Sequence, residues 1–264
     1  MKKEDRLILI KAVVLVVVLI VLVIFAAYFL PKIVPTWGSA NAQNEKLLPI
    51  YCVETDEKKV ALSFDAAWGN EDTQEILNIL AEEGVHVTFF MTGGWVSKFP
   101  DDVKKIAEAG HDLGNHSENH LQMSTLSVDQ CTEELQKVHD KVKELTGVEM
   151  TLFRPPYGDY NDNVINAATN LGYKTVQWDV DSLDWKDYGV DSIINTVCNH
   201  KHLGNGSIIL MHNGATYTAD ALRSVIQGLK EQGYEIVPIS ELVLDGTYKK
   251  DYDCDHEGRQ FLLN

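Results

Sequence analysis

Basic residues are scarce in this chain. Lys and Arg number 23 against 39 Asp and Glu over 264 residues, a formal charge of −16. So acidic a chain repels phosphate backbones, which argues against nucleic acid as a partner. There is no internal repeat and no low-complexity tract. With 45% apolar and 23% charged residues, the composition is that of a globular protein and not of a disordered one. No G-x-G-x-x-G and no P-loop follows the first strand-like segment, so a nucleotide-binding reading has little support. Only four cysteines occur. Cys131 lies on a helical apolar stripe with Val128, Leu135, Val138, Val142 and Leu145, and Cys198 on another with Ile194 and Val197. Cys52 and Cys254 flank the folded part, and they are the pair a disulfide would join in an oxidising compartment.

Polar residues are missing altogether from Ala12–Leu30. Nineteen residues at about 1.5 Å each give roughly 28 Å as a helix, close to the hydrocarbon thickness of a bilayer. Lys2, Lys3, Arg6 and Lys11 precede the run, and only Lys32 and Lys46 follow closely. The positive-inside rule then puts the N-terminus in the cytoplasm and the remainder outside, as in a single-pass membrane protein. A cleaved signal peptide is the rival reading, with Ala40-Asn41-Ala42 as its cleavage site. The apolar run exceeds the length of such a segment, and this site lies well past its end. Residues 31–57 read as a linker and lead-in, with Pro31, Pro35, Gly38 and Pro49. Apart from residues 1–30, the chain holds nineteen bases and thirty-seven acids.

From residue 58 onward, strand-like and helix-like segments alternate. Strands are expected at Val60–Phe64, His86–Met91, Asp112–Asn115, Thr151–Phe153, Tyr173–Trp178, Ser207–Met211 and Tyr234–Val237. Helices are expected between them: Thr73–Glu83 stopped by Gly84, one from Pro100 to Gly110, and a long one opened by a Ser127/Gln130 capping box and closed by Gly147. Others end at Gly172 and Gly233, and one runs near Asp191–His200. Such alternation indicates an α/β protein with a parallel sheet, either open or closed as a barrel.

The reactive side chains fall at the carboxyl ends of those strands: Asp65 after the first, His116 and His120 after the third, and Arg154 after the fourth. Asp181 and Asp184 follow the fifth, and His212 the sixth. In a parallel α/β protein these ends share one rim, where active sites form. Singly, each residue has a bland explanation: Asp65 as a cap, Arg154 as a surface charge, His212 at a core edge. Together they suggest metal-assisted hydrolysis. Two imidazoles suit zinc, cobalt or nickel. Asp65 can take a proton from water, with Arg154 keeping it charged, and His212 paired to Asp184 can protonate a leaving nitrogen.

Five blocks in order resemble the polysaccharide deacetylases, the NodB-homology carbohydrate esterases. They are Ala61–Asp65, Gly110–His120, Arg154–Gly158, Asp184-Trp185 and Leu210–His212. The resemblance implies a distorted seven-stranded (β/α) barrel. It also implies Asp65 as base, Arg154 orienting it, and His212 as acid supported by Asp184. Tyr157, through its backbone amide, would bind the oxyanion. Trp185 and Leu210 would contact substrate, and His116 and His120 would be the metal ligands. One departure stands out. The family has a second Asp after the base as a metal ligand, and here that position is Ala66. The remaining ligands would be His116 and His120 with solvent or Asp65, and two neutral ligands should hold a divalent metal such as zinc more weakly than a His-His-Asp set. The variant motif looks like that of a sporulation-associated subgroup.

These observations lead to an expected division into a basic flank (1–11), an anchor (12–30), a lead-in (31–57), a deacetylase domain (58–245) and a tail (246–264). The expected activity is removal of N-acetyl groups from a peptidoglycan or spore-cortex glycan outside the membrane. Two alternatives remain at this stage: an inactive, metal-poor glycan-binding homologue, and a glycoside hydrolase using Asp65 and Asp184 as its carboxylate pair.

Overall fold

The computed structural model describes residues 46–263 together with Val17 and Val18. A short β1 (Cys52–Val53) precedes β2 (Lys59–Ala66). The chain then runs α1 (Thr73–Glu83), β3 (Thr88–Met91), α2 (Gly93–Lys98), α3 (Pro100–Glu108) and β4 (Asp112–Asn115). Next come α4 (Val128–Thr146), β5 (Leu152–Phe153), α5 (Asp162–Asn170), β6 (Lys174–Thr175) and β7 (Val180–Asp181). The last elements are α6 (Val190–Cys198), β8 (Ile208–Asn213), α7 (Thr218–Glu231), β9 (Glu235–Val237), α8 (Ile239–Leu242), β10 (Tyr252–Cys254) and β11 (Arg259–Leu262).

Local sequence explains the helix ends. Gly84 and Gly147 close α1 and α4 in the left-handed conformation that favours glycine. The capping box of α4 is formed in both directions, Ser127 Oγ accepting from Gln130 N–H and Gln130 Oε1 from Ser127 N–H. Pro100 opens α3, where a missing N–H costs nothing. Cys131, Leu135, Val138 and Val142 form the buried stripe of α4.

The main sheet is parallel, in the order β6-β5-β4-β3-β2-β8-β7, and β9 also pairs with the start of β2. It curls, so its two faces bury different sets of residues. Val60, Leu62, Phe64 and Ala66 of β2 face outward into the apolar layer beneath the helices. Ala61 faces inward, with Phe90, Leu152, Val176, Ile208 and Val237, and α8 contributes Ile239 and Leu242 to the same inner layer. That inner layer is apolar at the amino ends of the strands. Ser63 and Asp65 continue it toward the carboxyl ends, where it turns polar.

The structure departs from the expected architecture in three places. Among the described residues the main sheet has eight strands, because the segment expected as one strand, Tyr173–Trp178, is only the two-residue β6, and β7 follows separately after Trp178 and Asp179. No ladder among the described residues joins β6 to β7, so the sheet is a curled half-barrel open on that side, which agrees with the distorted barrel expected while leaving it unclosed. The lead-in lies against this region, with Ile50 bridging to Val176 and Cys52 to Ser207. Second, the lead-in and the tail meet. β1 pairs with β11, and β11 with β10, in a separate three-stranded sheet. Third, Cys52 and Cys254 are both free and buried. They sit on the two outer strands of that small sheet with β11 between them, beyond the reach of a disulfide.

The apolar run expected as a membrane anchor lies outside the described residues except for Val17 and Val18, which are helical and exposed. Among the described residues no helix is long and apolar enough to cross a membrane.

Candidate active site

Sheet register assembles the site. Gly114, Phe90, Asp65 and His212 are successive partners across β4, β3, β2 and β8. The row opens into a cleft of about 500 Å³. Asp65, His116, His120, Tyr157, Trp185, Leu210 and His212 all line it, while Arg154 and Asp184 stand fully buried behind it. Asp181 lines the cleft as well, so all ten residues singled out in the sequence are brought to one end of the sheet.

On one side is Asp65. Arg154 Nη1 donates to Asp65 Oδ1 at 2.8 Å. Arg154 Nη2 donates to Ser63 Oγ at 2.9 Å and to the Gln177 carbonyl at 3.1 Å. The guanidinium also lies 4.2 Å from the Phe90 ring centre. Gly114 makes this arrangement possible: a Cβ there would come within 2.4 Å of the Phe90 ring. Burial pushes the Asp65 carboxyl up. The charges of Arg154, His116 and His212 and the Arg154 hydrogen bond outweigh it, so its pKa lies below the ordinary carboxylate value.

On the other side is His212. Its Nδ1 donates to Asp184 Oδ1 at 2.7 Å, and its backbone N–H donates to Asp184 Oδ2 at the same distance. Thr218 Oγ1 donates to that second oxygen as well. Burial alone would pull His212 down. The hydrogen bond and charge of Asp184, with the charges of Asp65 and Asp181, reverse this and raise it above the ordinary imidazole value. Asp65 and Asp184 are thus each committed to a cationic partner. That does not suit a pair of carboxylates working across a glycosidic bond.

His116 and His120 form a third wall, their ring centres 5.0 Å apart. His116 Nδ1 lies 2.7 Å from the Arg154 carbonyl, which can only accept, so Nδ1 carries the hydrogen. Its Nε2 lies 3.4 Å from Asp65 Oδ2. Burial pushes His116 down to about 4 and lowers His120 too, favouring the neutral rings that ligate metals. A bare Nε2 and a carboxylate oxygen are two acceptors in contact, and such a pair calls for a shared proton or a cation. The donor chemistry therefore fits a divalent cation. The ligand set is nonetheless short: among the described residues no three His, Cys, Asp or Glu side chains form a group able to hold one. Ala66 packs in the outer apolar layer and not in the cleft.

The rim is strained. Six described residues other than glycine have positive φ, and five of them are Ser117, His120, Tyr157, Leu183 and Asp187, all in loops at the carboxyl ends of strands. Such backbone persists only where surrounding contacts over-determine it, and it clusters at functional sites. Tyr157 (φ 60°) stands two-thirds exposed, with its ring edge-on to His120 at 4.5 Å. Sequence reasoning missed Ser63, Phe90, Gln177 and Thr218, which support the charged pairs. It also missed Trp68, whose ring stacks on His212. No sequence signal marks these residues except, for Ser63, its period-two register with Asp65 on the same strand.

The chain belongs to the polysaccharide deacetylase family, whose profile matches residues 53–176. Individual relatives are more specific. The peptidoglycan-N-acetylmuramic acid deacetylase PdaA of Bacillus subtilis is 35% identical over 78% of this chain and 79% of its own. A peptidoglycan-N-acetylglucosamine deacetylase of Bacillus cereus is 37% identical over 72% of this chain and 91% of its own. Among solved structures, a pseudoenzyme of the CE4 family from Bacillus anthracis superposes with a TM-score of 0.71 at 38% identity, covering 74% of this chain and 68% of that one. A mutant of that pseudoenzyme with restored enzymatic activity matches equally well.

Proposed function

We propose that this chain is a hydrolase that removes N-acetyl groups from a peptidoglycan-type cell-wall glycan. The observation that carries the reading is the pairing of Asp65 with Arg154 and of His212 with Asp184 across one cleft. Arg154 occupies one oxygen of Asp65, and the other, 3.4 Å from His116 Nε2, is the one that takes a proton from the attacking water. Asp184 holds the Nδ1 hydrogen of His212, so Nε2 is the nitrogen that delivers a proton to the departing amine. The carbonyl carbon gains the water oxygen and the C–N bond breaks, giving acetate and a free amino sugar. The strained backbone of Tyr157 presents its amide to the oxyanion. A divalent cation held by His116 and His120, which we take to be zinc, would polarise the acetyl carbonyl and acidify its bound water.

We further propose that residues 12–30 anchor the chain with its N-terminus in the cytoplasm and the domain spanning 58–245 outside, facing the wall. The relationship to PdaA and the variant first motif favour the sporulation-type subgroup and a muramic acid or glucosamine residue as substrate.

A second reading is favoured by one residue. Ala66 stands where the family carries a metal-binding Asp, and the similarity to a pseudoenzyme supports a chain that binds glycan without turning it over. Incubating the protein and zinc with muropeptides and N-acetylglucosamine oligomers distinguishes the readings. Acetate released with matching free amines, and without new reducing ends, is the expected result. Retention of glycan without acetate supports the second reading, and new reducing ends would mean glycoside hydrolysis.

A further inference from the structure

The residues that depart from the family's first motif do more than omit a ligand. After Ala66 the chain turns, and Trp68 lays its indole against His212, with ring centres 5.0 Å apart and planes only 15° from parallel. The stack is built from several directions. The carbonyl of Gly69, next to Trp68, accepts from the Trp95 indole at 3.0 Å and from Asn213 Nδ2 at 3.3 Å. Asp72 accepts from Asn213 Nδ2 and from the Gly214 N–H. Gly214 has φ 88°, and a Cβ there would lie 3.0 Å from Gly69 N and 3.3 Å from Trp68 Cβ. Only glycine at 214 lets the two backbones approach so closely. The turn carrying Trp68 and the strand end carrying His212 are thereby fixed to each other. Trp68 is nonetheless about half exposed, so its burial does not account for the clamp.

We propose that Trp68 is a positioning residue for His212: its indole holds the imidazole flat against Asp184 and stabilises the imidazolium through its ring face. A cation within about 6 Å of an indole centre is attracted by the ring quadrupole. The other groups that act on His212 are Asp184 and Asp181 on the loop and strand beside it, Asp65 on β2, and the His120 ring opposite. Three of these four are acids that favour the same protonated state, and Trp68 adds a neutral contribution that salt does not screen away. The importance of this for catalysis rests on the hydrolase reading above; the physical coupling does not.

The test is a titration by NMR of the full-length chain with carbon-13 at histidine Cε1, the His212 signal being assigned by its loss in His212→Gln. Trp68→Ala is expected to lower the His212 pKa by about half a unit, and Trp68→Phe to restore most of it. The His111 and His139 signals report that the fold is intact. If acetate release is measurable, its high-pH limb moves down by the same amount in Trp68→Ala and returns in Trp68→Phe. An unchanged or raised His212 pKa in Trp68→Ala overturns the proposal, as does a Trp68→Phe protein that titrates like Trp68→Ala. A wild-type protein that releases no acetate sinks the hydrolase reading and leaves the titration to decide on Trp68.

Discussion

The two sides of the cleft hold their working groups by different means. On the Asp65 side the support is itself a charge, a guanidinium with no exposed surface. Neither member of that pair is tolerable in the interior without the other, because each would be left uncompensated. On the His212 side the support is a carboxylate that also binds the backbone of the residue it serves and a neighbouring hydroxyl. Losing the imidazole leaves Asp184 with two of its three donors. The base side therefore couples catalysis to the stability of the fold, whereas the acid side nearly separates them.

The sharpest way to break this contrast is Arg154→Met. It should lower activity by roughly a hundred- to ten-thousand-fold and stability by about 3–5 kcal/mol, read by acetate release and urea denaturation. A stability loss under about 1 kcal/mol would mean that the pair is not desolvated as described. Next, His212→Gln should lose activity to a similar degree at a cost of only about 1–2 kcal/mol. Its pH behaviour sharpens the comparison. His212 is raised in the fold, so its contribution to stability is complete below the ordinary imidazole value of about 6.5 and disappears as pH rises through the raised one. Asp65 is lowered, so its contribution is complete above about 4 and disappears as pH falls through the lowered value. Melting temperature against pH should then lose its alkaline decline in His212→Gln while keeping its acid decline. An unchanged alkaline limb would assign that decline to another group. Gly114→Ala should cost about 1–3 kcal/mol by driving Phe90 toward Arg154, and its activity should fall through the base side alone. Ser63→Ala removes one of three acceptors from Arg154 and should cost about 1 kcal/mol, the smallest effect in the series.

Much of this arrangement could be read from the sequence because it is local. Caps such as Ser127/Gln130 and stops such as Gly84 act within one turn of the chain. The placement of Asp65 and His212 at strand ends follows from counting in twos and from the parallel topology. What escaped depends on contacts between distant segments. Phe90 looks like any core aromatic until Gly114 is seen beside it. β1 and β11 are four residues or fewer, and they are strands only because they find each other. Gly93-Gly94 carries no helix signal, yet α2 begins there, with Thr92 Oγ1 capping it by accepting the Trp95 N–H. Trp68 had no pattern to announce it, being an aromatic in a turn.

The five positive-φ residues around the cleft have a consequence for how this protein can change. At roughly 1 kcal/mol each, they draw about 5 kcal/mol from a fold whose total margin is of order 5–15 kcal/mol. Glycine at Leu183 or Asp187 should therefore make the domain melt at a higher temperature while loosening the loop that carries Trp185. Selection for robustness alone would erode this rim, so its persistence in any descendant lineage is a readable trace that the cleft is still in use.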